Sequence, residues 1–111
     1  YLNPENSKVI LDAAKQPAHV SIISKMEILG WNAPTKEEEA EIQSFMNDSV
    51  IIHISDAVVD KTIEIRKTSK IKLPDAIIAA TAIVKKFTLL TRNVSDFSNI
   101  QDLKVENPFP K

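Results

Sequence analysis

The sequence has no cysteine and a single glycine, Gly30, among its 111 residues. Without cysteine there is no disulfide, no thiolate zinc site and no cysteine nucleophile. One glycine cannot supply a G-x-x-x-x-G-K-[ST] phosphate loop or a G-x-G-x-x-G dinucleotide turn, and it excludes a G-x-S-x-G nucleophile elbow. The two histidines, His19 and His53, lie far apart and form no H-E-x-x-H helix, so any metal here would be a hard cation held by carboxylates. Long hydrophobic runs are also missing. The longest apolar stretch, Ala76 to Val84, is broken by Thr81 and falls well short of the roughly 18 residues that span a bilayer. No signal peptide is visible, which together with the missing cysteines points to the cytoplasm and away from a membrane partner. What is present is ordinary for a soluble globular domain: 43% hydrophobic residues, 26% charged residues and a formal charge of −1. The length supports one core rather than two, so residues 1–111 are expected to form a single domain.

Along the chain, Asn3-Pro4-Glu5 has the form of a helix opening, with Val9, Ile10, Ala13 and Ala14 as its apolar stripe and Pro17 as its stop. His19 to Ile23 is β-branched and predicts a strand. Ser24-Lys25-Met26-Glu27 fits a capping box, opening a helix that runs to about Gly30 or Trp31. A second capping box, Thr35-Lys36-Glu37-Glu38, opens a helix with Ile42, Phe45 and Met46 inward. Val50 to Ile54 predicts another strand. Ser55 or Asp56 then caps a helix through about Thr68, with Val59, Ile63 and Arg66 on successive turns. Leu73-Pro74-Asp75 opens the most apolar helix, Phe87 to Leu90 is a strand, Thr91 to Asn99 a polar loop, and Lys104 to Glu106 a last short strand. Strands alternating with helices predict a mainly parallel sheet with helices on both faces, a three-layer α/β/α domain.

In such sheets ligands bind along the edge where strands end and helices begin. Glu27, Asp75 and Asp96 all fall near such ends. Each has a structural explanation: the return half of a capping box for Glu27, a helix-dipole complement for Asp75, a turn for Asp96. Three acids on one edge would also suit a cation between them.

The blocks Val20-Ser21-Ile22-Ile23-Ser24-Lys25-Met26-Glu27-Ile28-Leu29-Gly30-Trp31, Lys72-Leu73-Pro74-Asp75-Ala76-Ile77-Ile78-Ala79-Ala80-Thr81-Ala82 and Leu90-Thr91-Arg92-Asn93-Val94-Ser95-Asp96-Phe97 resemble the motif blocks of PIN-domain nucleases, and most nearly those of VapC-type toxins. The blocks keep the family's order across essentially the whole chain. The resemblance implies an acidic cluster that binds Mg²⁺ or Mn²⁺ and cleaves RNA with a metal-activated water. It makes Glu27 the second family acid and Asp75 the third. Asp96 is the carboxylate available at the fourth position, with Asn93 a neutral oxygen donor or water positioner where many relatives carry Asp. The family's first acid belongs to a D-[TS]-N block on an N-terminal, usually central strand, upstream of the segment matched by Tyr1-Leu2-Asn3. The chain opens on Tyr1 rather than Met, so the expectation is an N-terminally truncated domain without that strand. A homodimer or a covering partner is then expected, because a missing strand leaves edges and apolar faces uncovered. The family's antitoxin clasps helices near Ile28, Leu29 and Trp31, although Trp31 would equally serve as core.

The chemistry is reasonable without the family. Phosphodiester hydrolysis needs a hydroxide and charge stabilisation, and Mg²⁺ on two or three carboxylates supplies both. Residues 61–92 hold eight basic residues against Glu64 and Asp75, while the remainder holds six against thirteen acids. That basic half either binds phosphates, with Lys72 and Arg92 the foremost contacts, or only solvates helix faces. The expected function is a Mg²⁺-dependent endoribonuclease toxin. The competing reading is a catalytically inactive PIN-like module that binds protein or RNA.

Overall fold

Apolar residues in the strands point alternately to two sides, and each side carries its own helices. The computed structural model describes residues 9–11 and 18–107. Among these, the strands are β1 (Val9–Leu11), β2 (His19–Ser21), β3 (Val50–Ile52), β4 (Thr88–Leu90) and β5 (Val105–Glu106). The helices are α1 (Ile22–Leu29), α2 (Lys36–Asn47), α3 (Asp56–Thr68) and α4 (Leu73–Lys85), with a short 3₁₀ turn at Val94–Phe97. Strand order is β3-β2-β1-β4-β5. β2 pairs with β3 and β4 with β5 in parallel, whereas β1 runs antiparallel to both of its neighbours. Four strands therefore share one direction, and the sheet is mainly parallel as expected.

The middle of the sheet departs from the sequence reading. Val9 and Ile10 were expected on a helix, but Val9–Leu11 is the central strand, with Val9 opposite Leu90 and Leu11 opposite Thr88. The proposed Asn3 cap, Ala13, Ala14 and Pro17 lie outside the described residues. Three successive aliphatic residues fit either a helix stripe or a strand buried on both faces, and tertiary packing decided. Val9 packs with Val20, Ile28, Ile42 and Met46, whereas Ile10 packs with Ile52, Ile78 and Leu89. Neighbours along β1 thus feed opposite cores, as strand geometry requires. The same alternation separates Ile51 from Ile52 and Leu89 from Leu90. α1 and α2 supply the core on one face, and α3 and α4 the core on the other.

Local chemistry sets the helix starts. α1 begins earlier than expected: Ser21, not Ser24, is its N-cap, accepting the Ser24 backbone N–H at 3.0 Å. The strand correspondingly stops at Ser21 instead of Ile23. Ser21 and Ser24 are both buried, and the Ser21 hydroxyl donates in turn to the Ser24 hydroxyl at 3.2 Å. Thr35 caps α2 as expected, accepting the Glu38 N–H at 3.1 Å, and Ile42 and Met46 are buried. Ser55 caps α3, accepting the Val58 N–H at 3.3 Å. The inward stripe of α3 is Val58, Thr62 and Ile65, while Val59, Ile63 and Arg66, on successive turns as expected, are exposed. Thr62 joins the stripe because its hydroxyl donates to the Val58 carbonyl at 2.7 Å, satisfying itself within the helix. α4 buries Ala76, Ile78, Ala79, Ala80, Thr81 and Ala82, and ends on Lys86 in the left-handed region at φ 60°. The small alanines let α3 and α4 pack closely.

Leu89→Ala, which would open a cavity in a fully buried site, should cost about 2–5 kcal/mol, while Ile63→Ala on the exposed side of α3 should stay within about 0.5 kcal/mol. Urea unfolding of both variants measures the contrast.

Candidate active site

The parallel strands β2, β3, β4 and β5 all end at one edge of the sheet, at Ser21, Ile52, Leu90 and Glu106. α4 runs back against β4, so its N-terminus returns to that same edge. No side chain caps α4: Lys72 holds the cap position with extended backbone, Pro74 lies in the first turn, and Asp75 follows it. Proline suits the first turn because its missing N–H would have no helical partner there. An acid beside an uncapped helix start is favoured by the dipole.

The second wall comes from the segment after β4. Thr91 is buried, and its hydroxyl accepts the Asn93 backbone N–H at 3.1 Å. The Asp96 N–H then donates to the Asn93 carbonyl at 3.1 Å. Phe97, 1% exposed, plugs into the α3–α4 core. Anchored by Thr91 at one end and Phe97 at the other, the 3₁₀ turn presents Asp96 outward. Asp75 and Asp96 consequently line one open cleft of about 250 Å³, together with Lys70, Ile71 and Lys72. Asp75 is half-buried, while Asp96, Lys70 and Lys72 are exposed.

Two of the three expected acids are thus together. Glu27 is half-buried on α1 but does not line this cleft, and among the described residues no three acidic or imidazole groups are arranged to hold an ion. With Ser21 as the cap of α1, Glu27 falls in the second turn of that helix. The earlier cap also removes the capping-box explanation of Glu27: it is a mid-helix residue on the α1 helix, which packs against α4. Arg92 and Asn93 are exposed at the mouth of the turn. Lys70 is a lining residue that was not singled out from the sequence. Its signal was there, two residues before Lys72 in the basic segment.

The apolar trio separates by burial. Ile28 is core, 2% exposed against Ile42 and Met46, so it offers little surface to a partner. Leu29 is exposed and Trp31 half-buried, beside a shallow α1–α2 cleft of about 70 Å³ that Ile28, Ala33 and Glu39 also line. His19 starts β2 as expected and tilts against Phe87 with ring centroids 4.7 Å apart. His53 is exposed just past the end of β3 rather than within it.

Two carboxylates among lysines suit a hard divalent ion, since such ions bind through one or two protein carboxylates and complete their shell with water and substrate phosphate. If Asp75 and Asp96 serve as ligands, Asp75→Asn should weaken Mn²⁺ binding at least tenfold in calorimetric titration. If Asp75 only complements the helix dipole, the same change should cost about 0.3–1 kcal/mol in thermal unfolding and leave Mn²⁺ affinity unmoved.

The PIN-domain family model matches residues 3–103. Among solved structures, a chain of a toxin–antitoxin complex from Klebsiella pneumoniae is 34% identical, with a TM-score of 0.67 over 82% of this chain and 73% of that one. A chain of VapBC2 from Rickettsia felis, solved bound to a promoter DNA fragment, is 28% identical, with a TM-score of 0.66 over 78% of this chain and 71% of that one. The chain has no significant match among curated proteins. The match to the family model over residues 3–103 and these likenesses establish that the chain belongs to the PIN-domain family of nucleases and resembles its VapC-type members.

Proposed function

We propose that this chain is a Mg²⁺- or Mn²⁺-dependent endoribonuclease, the toxin of a toxin–antitoxin pair acting in the cytoplasm. The observation that carries the reading is the cleft in which Asp75 and Asp96 face Lys70 and Lys72 at the uncapped start of α4. The two carboxylates would hold the cation, with Glu27 contributing through water from α1. When bound, such an ion supplies a water of lowered pKa and neutralises charge on the phosphate. Lys70, Lys72 and Arg92 draw the RNA backbone to the cleft, and the α4 N-terminus favours a phosphate there. The Asn93 amide can orient the attacking water, and a carboxylate of the pair accepts its proton. No side-chain nucleophile is needed.

The relatives found in toxin–antitoxin complexes support an antitoxin partner. Exposed Met26 and Leu29 with half-buried Trp31, beside the α1–α2 cleft, form the apolar surface it would cover. Self-association into a homodimer belongs to the same reading. A non-catalytic scaffold is the competing one, favoured by the presence of two acids rather than three in the cleft.

Cleavage of mixed RNA separates them. The enzyme reading expects activity that EDTA abolishes and Mn²⁺ or Mg²⁺ restores, that falls by a factor of at least about 100 in Asp75→Asn or Asp96→Asn, and that drops in Glu27→Gln. Metal-independent cleavage, or none with either ion across several RNAs, rejects it. On the enzyme reading, Lys72→Ala should also weaken RNA binding uniformly across sequences and lower the salt slope by about 1.

A further inference from the structure

A second cleft adjoins the first, and the metal chemistry does not use it. It encloses about 290 Å³ between the C-terminal half of α3, with Lys61, Glu64 and Ile65, and the turn at Ile100, Gln101 and Asp102. The two clefts share both banks. Thr68 and Ser69 line this one, and the residues that follow, Lys70 to Lys72, line the cleft of Asp75 and Asp96. On the other bank the chain runs from Asp96 in the first cleft to residues 100–102 in the second. For a strand of RNA with a phosphate at Asp75 and Asp96, the second cleft is the continuation of the groove.

Its chemistry differs from that of a phosphate site. The aliphatic part is Ile65 and Ile100, both buried. The charged part is one lysine with two carboxylates. Lys61 bonds to Glu64 one turn along α3, and that bond, with the charges of Glu64 and Asp102, holds the ammonium proton above the usual lysine range. A carboxylate accepts hydrogen bonds and cannot donate them, so beside a polyanion it is suited to the donors of a base rather than to phosphate. An exposed ion pair of this kind is worth little by itself. The three ammonium donors and two carboxylate oxygens also leave both partners with capacity for a ligand. Among the described residues no aromatic side chain lines the cleft, so hydrogen bonds rather than stacking must choose the base. Only guanine sets two donors, N2–H and N1–H, beside an acceptor, O6, on its Watson–Crick edge. A carboxylate next to an ammonium complements that row.

We propose that this cleft is a base subsite holding a guanine next to the scissile phosphate, where Glu64 accepts from N1–H and N2–H, Lys61 donates to O6, and Asp102 accepts the second N2 hydrogen. The subsite deepens the ribonuclease reading and rests on its RNA substrate.

Fluorescence anisotropy in EDTA, where metal-dependent cleavage is off, tests this with short uridine strands carrying one central guanine, inosine, adenine or cytosine. The guanine strand should bind about tenfold more tightly than the adenine and cytosine strands, with inosine, which lacks the N2 amino group, in between. Glu64→Gln should erase that preference and Asp102→Asn reduce it. Neither should weaken the all-uridine strand, because each removes a negative charge from beside a polyanion. Asparagine at position 102 tolerates the left-handed backbone found there, φ 68°, and circular dichroism checks the fold of both variants. With Mn²⁺ restored, cuts should cluster beside guanines in the unmodified chain and spread in Glu64→Gln. Equal binding of all strands, preference for another base, cuts that ignore guanine, or a guanine preference untouched by Glu64→Gln overturns the subsite and leaves metal-dependent cleavage standing. A guanine preference that Glu64→Gln erases, in a protein that cleaves with neither ion, overturns the ribonuclease reading alone. Failure to bind any strand overturns both.

Discussion

Helices cover both faces of a sheet whose strands are only two or three residues long, and that double burial constrains everything else. A strand closed in on both sides has no room for charge, so β1, β3 and β4 are built from valine, isoleucine and leucine, with threonine admitted in β4. Polar chemistry is pushed to the edge where the parallel strands end. There the chain has to turn, the α4 start is uncapped, and water has access. The cleft with Asp75, Asp96, Lys70 and Lys72 is what this constraint leaves at that edge.

The cleft's precision comes from apolar anchors. Phe97 contributes no chemistry of its own, yet its burial beside Ile78 and Leu89 fixes the turn on which Asp96 stands. Thr91 does the same at the other end, with its hydroxyl occupied by the Asn93 N–H. On the opposite wall, the alanine-rich α4 lies tight against α3 and so holds Asp75 at a set height above the sheet. Carboxylates and lysines held this close would repel or neutralise one another less selectively on a mobile loop, and a site on such supports loses less when it binds an ion or phosphate.

Glu27 shows how one hydrogen bond can change the meaning of a residue. The Ser24–Glu27 spacing fits a capping box, but a serine one turn earlier, Ser21, is also a good N-cap residue. The Ser24 N–H donating to the Ser21 hydroxyl marks the earlier start. Glu27 then loses its structural explanation, and it does not line the cleft with Asp75 and Asp96. The inward stripe of α3 is set in a similar way. Thr62 reads as polar, but a threonine that returns its hydroxyl to the helix backbone can face a core, and the aliphatic Val59 and Ile63 were left outside.

What the sequence by itself determined followed from local chemistry and pattern: the alternation of strands and helices from His19 on, caps at Thr35 and Ser55, the buried character of Ala76 to Val84, the motif blocks, and Asp75 at the start of the apolar helix. These follow from side-chain donors three residues from backbone N–H groups, from periodicity, and from residue types. Only the tertiary structure decided between states that such patterns leave equal. Val9-Ile10-Leu11 became the central antiparallel strand because a slot between β2 and β4 requires apolar groups on both faces, which short-range preference does not encode. Likewise, the meeting of Asp75 with Asp96 in a cleft that Glu27 does not line depends on where α4, α1 and the Phe97 turn pack, and packing is a property of distant parts of the chain brought together.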